Sequence, residues 1–149
     1  MHKVWATKHG FTIIELLITI VVIGILASIT IFSYTGIQQQ ARDSRRDSDI
    51  VQLKIAIEKY RADTGAYPEV CTTDGAACVI SLLSTPLASY LSPIPHDPTA
   101  AVDTGADYRY VRSTPALDGY AIRIVYESKA TCMTGTNVQP TWWSSIPIC

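Results

Sequence analysis

An uncharged apolar stretch near the N-terminus is the strongest constraint on what this chain can fold into. Residues 16–41 carry no formal charge, and residues 16–34 are interrupted only by one glycine and four serine or threonine residues. An α-helix rises about 1.5 Å per residue, so about 20 such residues cross the ~30 Å hydrocarbon core of a bilayer. Lys3 and Lys8 precede the stretch without any acid, which predicts a cytoplasmic N-terminal end.

Glu15 is a carboxylate at the start of this apolar stretch. An ionisable side chain near a membrane core is costly, and it indicates a functional position whose partner has to be identified. A secretory signal would have a shorter apolar region of roughly 7–15 residues, followed by a small-residue cleavage site. An ordinary membrane anchor would explain the length and the lysines, but it would not explain Glu15.

The residues around Glu15 resemble the prepilin signal of the type IV pilin superfamily. A short basic leader ends in Gly10, Phe11 follows, Glu15 comes four residues later, and the apolar stretch begins directly after it. The resemblance implies that a prepilin peptidase cuts between Gly10 and Phe11 and methylates the new amine of Phe11. It also implies that Glu15 pairs with the Phe11 amine of a neighbouring subunit during assembly. Such pairing offsets much of the cost of two isolated charges in an apolar environment.

Charge argues against a nucleic-acid-binding domain. Without residues 1–10, which contain two lysines and no acid, ten basic and 13 acidic residues remain, a net charge of −3. Nucleic-acid-binding domains usually have a basic excess. A nucleic-acid partner is therefore unsupported, although Arg42, Arg45 and Arg46 form a local basic group on the predicted helix.

The sequence shows no enzyme signature. Beyond the leader there is one histidine, and we find no glycine-rich phosphate loop and no nucleophile motif. His96 and Asp97 could act as an acid–base pair, but a turn between prolines explains them better. A zinc site is disfavoured because there is no C-x-x-C pair. We therefore expect a non-enzymatic protein without a metal or other cofactor.

Four cysteines follow the apolar stretch, on the side predicted to be exported. An even number in an exported domain indicates disulfide bonds, and four cysteines allow three connectivities. We favour the pairing that is local in sequence, Cys71–Cys78 and Cys132–Cys149.

The helix that contains the apolar stretch should continue from Phe11 to Thr64, about 80 Å at 1.5 Å per residue. Its second half is amphipathic, because Ile50, Leu53, Ile57 and Tyr60 recur at helical spacing. Thr64-Gly65, with a proline beyond, is a typical helix end. Between the two halves, the charged residues 42–49 predict a solvated helix surface; the alternative is contact with neighbouring subunits.

Beyond the helix, a small sheet is predicted. A proline-rich connector extends from Tyr67 to about Asp107 and has room for a short helix within residues 79–90. Period-two alternation then predicts strands over residues 108–112 and 120–127, paired antiparallel through a turn that contains Asp118-Gly119. A weaker third strand is expected over residues 141–145. There, Trp142 and Trp143 either pack in the Cys132–Cys149 loop or offer one exposed ring to a partner.

The predicted fold is therefore α+β: a long N-terminal helix whose first half spans a membrane and whose second half packs on a small antiparallel sheet. The resemblance to pilins divides the chain into three regions. These are a leader peptide (1–10), a transmembrane and filament-core helix (11–35), and a periplasmic or extracellular head with the second half of the helix (36–149).

The function implied by the resemblance is that of a structural subunit of a type IV pilus. Such subunits begin as single-pass precursors in the inner membrane and polymerise into an extracellular helical filament that serves adhesion and twitching motility. The implied partners are further copies of the chain, the prepilin peptidase, and the assembly platform with its ATPase. The alternative is a pseudopilin of a type II secretion or DNA-uptake (competence) system. We favour the pilus because secretion-type major pseudopilins carry an acidic calcium-binding loop near their end, whereas residues 134–145 contain no acid.

Overall fold

A computed structural model describes residues 10–71, 76–113, 118–143 and 145–149, without the side chains of residues 30–33. The chain divides into two compact units, one ending at Gln38 and a globular unit over Gln39–Cys149. The described elements confirm the α+β class. They are α1 (Ile13–Thr64), β1 (Cys78–Val79), a 3₁₀ helix (Ile80–Ser84), β2 (Arg109–Arg112), β3 (Tyr120–Ile124) and β4 (Cys132–Thr136).

The N-terminal unit presents apolar side chains on all sides of α1. Their exposed fractions range from 88% at Ile13 to 48% at Val22. Two hydroxyl groups in this stretch are satisfied within the helix: Thr19 Oγ1 donates to the Leu16 carbonyl at 2.8 Å, and Ser28 Oγ to the Ile25 carbonyl at 2.7 Å. Among the described residues, α1 is the one helix that is long and apolar enough to cross a membrane.

The amphipathic second half of α1 packs on the sheet as its spacing predicts. Ile50, Leu53 and Ile57 are at most 5% exposed and share a core with the sheet residues Ile122 and Ile124. The remaining core members are aromatic or come from the connector: Tyr67, Ile80, Leu83, Leu87, Ile94, Tyr108, Tyr110 and Tyr120, together with Ala56. Tyr60, the last residue of the predicted stripe, is half-buried against this core.

α1 ends where the sequence predicts. Thr64 is its last residue, and Gly65 has φ +85°, a left-handed conformation that glycine adopts without a Cβ penalty. The Gly65 N–H donates to the Arg61 carbonyl at 2.8 Å, which satisfies one of the carbonyls left free at the helix end.

The four strands form one antiparallel sheet in the order β1-β2-β3-β4. The predicted pairing of β2 with β3 is confirmed, with Tyr110 opposite Ile122. β3 is shorter than predicted and ends at Ile124. The segment after β3 binds α1 instead: the N–H groups of Glu127 and Ser128 donate to the Asp43 carboxylate at 3.0 and 2.9 Å.

The prediction of a third strand over residues 141–145 is wrong. The third long strand is β4, which pairs with β3. Gly135 allows this pairing, because a Cβ there would lie 2.0 Å from the Tyr120 carbonyl oxygen. Residues 141–143 and 145 form turns instead: the Trp142 N–H donates to Gln139 and the Ile146 N–H to Trp143. In the connector, the predicted helix is the short 3₁₀ helix followed by turns.

The C-terminal segment covers the sheet face opposite α1. Val111, Ala121 and Met133 are buried there against half-buried Trp142 and Trp143, with Ala77, Val138 and Ile146. Both tryptophans therefore pack within the protein. A disulfide bond joins Cys132 to Cys149, and a second joins Cys71 to Cys78; these are the favoured pairs.

A pair of isoleucines tests the placement of the helix. Ile57 is fully buried in the core, whereas Ile55, two residues away, is 51% exposed. We expect Ile57→Ala to lower the free energy of unfolding by about 2–5 kcal/mol, because it removes buried apolar surface and leaves a cavity. Ile55→Ala is the matched control and should cost about 0.5 kcal/mol or less. Denaturant unfolding in detergent measures both, and equal losses would contradict this packing.

Candidate functional site

The residues at the predicted cleavage point lie outside the helix. Gly10 and Phe11 have no regular secondary structure, and the Phe11 side chain is 88% exposed. α1 begins two residues later, at Ile13. The helix therefore starts later than the predicted Phe11.

Thr12 and Glu15 form a reciprocal capping box at the start of α1. Glu15 Oε2 accepts hydrogen bonds from the Thr12 N–H at 2.8 Å and from Thr12 Oγ1 at 2.7 Å. Thr12 Oγ1 in turn accepts from the Glu15 N–H at 3.3 Å. A threonine three residues before a glutamate is the sequence pattern of this motif. The capping box fixes the first turn and leaves Gly10 and Phe11 ahead of it.

These contacts give Glu15 a partner within its own chain. The resemblance to prepilins implies only a cation on a neighbouring subunit as its partner, so the capping role is an addition. A carboxylate in the first turn also interacts favourably with the positive end of the helix dipole. In the single chain, Glu15 is thus hydrogen-bonded before any subunit contact forms.

A second polar site lies in the globular unit and centres on Arg46, which is 1% exposed. Its guanidinium holds Asp97 through two hydrogen bonds, from Nε at 2.6 Å and from Nη2 at 3.0 Å. Nη1 donates to Asp43 at 2.7 Å and lies 3.0 Å from a Glu127 oxygen, and Nη2 also donates to Thr99. We call Arg46 with Asp43, Asp97 and Glu127 the Arg46 cluster.

The Arg46 cluster joins three separate parts of the chain. Asp43 and Arg46 come from α1, Asp97 from the connector, and Glu127 from the segment after β3. Arg42 extends it at the surface, where its Nε donates to Glu127 at 2.7 Å. The prediction that residues 42–49 form a solvated surface is therefore wrong for Asp43 and Arg46, which pair inside the protein. It is also wrong for Asp49, which is buried and accepts a hydrogen bond from the Tyr108 hydroxyl at 3.1 Å.

Hydrogen bonding controls the ionisation of this cluster. Burial raises the pKa of both Asp43 and Asp97, but hydrogen bonds outweigh this effect and hold both pKa values below the usual range. The donors to Asp43 are Ser128, Glu127 and Arg46. The donors to Asp97 include Arg46 and Thr99. The hydrogen bonds to Asp97 raise the pKa of Arg46 above its usual value despite burial. The cluster is therefore ionised throughout the neutral range.

His96 and Asp97 do not act as a pair, in agreement with the turn interpretation. His96 Nδ1 lies 2.7 Å from Asp107, whereas Asp97 binds Arg46. Among the described residues, His96, Asp103 and Asp107 group as metal ligands would. However, the Asp107 carboxylate already accepts backbone N–H groups of Asp97, Asp103 and Tyr108 as well as His96. Hydrogen bonds within the turn therefore account for the Asp107 carboxylate and for His96 Nδ1.

The most informative contacts were only partly visible in the sequence. Asp43 and Arg46 are three residues apart on one helix, so their attraction could be predicted. Nothing local links them to Asp97 or Glu127. The Thr12–Glu15 spacing could have revealed the capping box, but the apolar context drew attention to the charge alone.

The comparisons with known proteins agree with this architecture. Residues 5–31 match the family model described as "Prokaryotic N-terminal methylation motif". Such a motif ahead of a long helix that packs on a small antiparallel sheet defines a protein of the type IV pilin and pseudopilin class. The chain is 32% identical to the type II secretion system core protein G of Klebsiella michiganensis, over 70% of this chain and 74% of that protein. It belongs to the family of type II secretion system core protein G.

Two further relatives carry the same description. The protein of Vibrio cholerae is 31% identical, over 70% of this chain and 70% of its own length. The protein of Dickeya chrysanthemi is 30% identical, over 70% of this chain and 68% of its own length. No solved structure gives a significant match. The relatives favour the alternative function, secretion, over the type IV pilus.

The Arg46 cluster predicts loss of stability in acid. Since its carboxylates have lowered pKa values in the folded protein, their contribution is complete above the unfolded value of about 3.8 and is lost as the pH falls through the folded values. Asp49, whose pKa burial raises, acts in the opposite sense. We expect the free energy of unfolding to fall steeply below about pH 4.

Asp43→Asn should weaken the dependence of the free energy of unfolding on pH. It should also lower this free energy by about 3–5 kcal/mol at neutral pH, because Arg46 stays buried with one carboxylate fewer. Denaturant unfolding at about pH 3–7, followed by tryptophan fluorescence, measures both effects. Asp118→Asn, at an exposed position, is the control. An unchanged pH slope in Asp43→Asn would contradict the assignment.

Proposed function

We propose that this chain is a pseudopilin, a structural subunit that polymerises into the filament of a type II secretion system. The observation that carries the proposal is its relationship to core proteins G, which covers 70% of this chain, well beyond the 27 residues (5–31) of the N-terminal motif. A type IV pilus subunit is supported only at the level of the superfamily. On this proposal, the chain is a structural subunit and not an enzyme.

The N-terminal residues prepare the subunit for assembly. A prepilin peptidase cuts between Gly10 and Phe11, and Phe11 is methylated. The non-helical, exposed Gly10 and Phe11 support this role, since a scissile bond inside a capped helix would be hidden from a protease. Before assembly the apolar half of α1 anchors the precursor in the inner membrane, with the globular unit on the outer side.

Polymerisation buries this apolar half against the same segment of other copies. Its exposed isoleucine, leucine and valine side chains support this step, because burial of such surface against lipid or protein is favourable. Glu15 then pairs with the Phe11 amine of a neighbouring subunit. The globular unit, held by the Arg46 cluster and two disulfide bonds, faces outward, and the assembly platform and ATPase drive insertion of each subunit.

Deleting the gene distinguishes secretion from a pilus. In cells without this chain, we expect the exported proteins of the type II system to accumulate inside the outer membrane, whereas surface pili stay normal. Fractionation of medium and periplasm, with electron microscopy of the cell surface, measures both. Normal secretion together with loss of pili would overturn the proposal in favour of the type IV pilus.

Substitutions at Glu15 separate its capping role from its charge. Glutamine at this position can still complete a capping box but carries no charge, whereas alanine removes both. If pairing with the Phe11 amine is required, Glu15→Gln and Glu15→Ala should both give stable membrane monomers that begin at Phe11 but few or no filaments. Mass spectrometry of the N-terminus and immunoblots of membrane and sheared filament fractions provide the measurement.

Asp118→Asn is the control, because it removes the charge of an exposed carboxylate in the globular unit. It should assemble normally. Filaments from Glu15→Gln but not from Glu15→Ala would show that only the capping box matters. Mature protein that begins at Met1 would contradict cleavage at Phe11.

A further inference from the structure

Arg109 and Arg123 lie directly opposite each other on β2 and β3. Directly opposed residues of antiparallel strands share one sheet face, and side chains alternate between faces along each strand. Tyr110 and Ile122, the next pair, point into the core with α1. The two arginines therefore lie on the opposite face, beside the tryptophan-covered cluster of Val111, Ala121 and Met133.

Two positive charges in this arrangement repel each other, and like charges directly opposite destabilise a sheet. Each guanidinium is held by a neutral acceptor: Arg109 Nη2 donates to the Ala77 carbonyl at 2.8 Å, and Arg123 Nη2 to the Gly105 carbonyl. In the parts of the globular unit that the structure describes, neither forms an ion pair with a carboxylate. The pair is fixed in place without being neutralised.

Arg123 carries a second cost. Its side chain is half-buried, and its Nε is fully buried without a hydrogen-bond partner. Burial, with a smaller effect from Arg109, lowers the pKa of Arg123 below its usual value. A buried donor without a partner is unfavourable, so the local structure is incomplete as it stands.

We propose that Arg109 and Arg123 form an oxyanion-binding site on the outer face of the sheet. The guanidinium group presents a planar fork of N–H donors that matches carboxylate, sulfate and phosphate oxygens. An oxyanion bound by the two groups would neutralise the repulsion and accept hydrogen bonds from Nη1 of each guanidinium, since these carbonyl contacts use only Nη2. This site is independent of the N-terminal motif and of the proposed secretion role.

The oxyanion has two available sources, a free inorganic anion or a carboxylate on a second copy of this chain. The chain has 13 acidic residues, so an acidic side chain from another copy has the required chemistry. An internal carboxylate is the competing explanation. Asp74 is three residues before Ala77 in the sequence and lies outside the described residues, and its substitution is included in the test.

The first measurement is the melting temperature of the full-length protein in non-ionic detergent, with increasing sodium sulfate at constant ionic strength set by sodium chloride. Sulfate bound only to the folded state should raise the melting temperature with saturation. The rise should be about 3–6 °C when sulfate is roughly tenfold above its Kd. General salting-out by sulfate does not saturate, so the shape of the curve separates the two effects.

Arg123→Gln and Arg109→Gln should each abolish the saturable rise in melting temperature. Because both substitutions are made separately, the test remains valid if one of the two variants does not fold. Arg45→Gln is the matched control, because it removes an exposed arginine of α1 far in sequence from the strands. It should keep the full response. An equal response in the wild-type protein and both strand variants would overturn the site.

The second measurement is self-association by analytical ultracentrifugation at low salt. Association that sulfate inhibits and Arg123→Gln abolishes would assign the oxyanion to a carboxylate of a second copy. A saturable sulfate response without association would assign it to a free anion. If neither the wild-type protein nor Asp74→Asn shows an effect, the proposal is overturned. A response in Asp74→Asn alone would overturn binding of an external oxyanion, because Asp74 then fills the site.

Discussion

The globular unit depends on the neutralisation of one buried charge. Arg46 is 1% exposed and is surrounded by carboxylates from α1, the connector and the segment after β3. A buried ion pair adds little net stability by itself, but removal of one partner is strongly destabilising. Because its partners come from three parts of the chain, Arg46 fixes where the connector returns to the helix and where β3 ends.

The charged side chains of Glu15 and Arg46, in the first and second halves of α1, are stabilised in different ways. Glu15 is stabilised within one turn by Thr12, so its hydrogen bonds form without tertiary structure. Arg46 needs Asp97, which is 51 residues away in the sequence. On the proposed function, Glu15 can exchange these local hydrogen bonds for a partner on another subunit during assembly, whereas the contacts of Arg46 are fixed once the globular unit has folded.

The absence of acids from residues 134–145 favours a pilus over secretion, but it concerns one loop. The relatives match 70% of this chain. In this chain the same segment covers the outer face of the sheet and is closed by the Cys132–Cys149 bond. The absence of acids changes the bonds that hold this segment in place. It does not decide which assembly the N-terminal helix joins.

The sequence alone determined the features that depend on neighbours along the chain. These are the apolar half of α1, its amphipathic stripe, its end at Gly65, the β2–β3 pair and the motif at Gly10, Phe11 and Glu15. Tertiary structure decided the rest. The sequence does not predict β4, in which Gly135 leaves the space that a Cβ would take from the Tyr120 carbonyl. Asp43 and Arg46 are interior because Asp97 and Glu127 meet Arg46 and the N–H groups of Glu127 and Ser128 meet Asp43. Periodicity records which face of an element is apolar, but the burial of a charge depends on a partner that only the folded chain supplies.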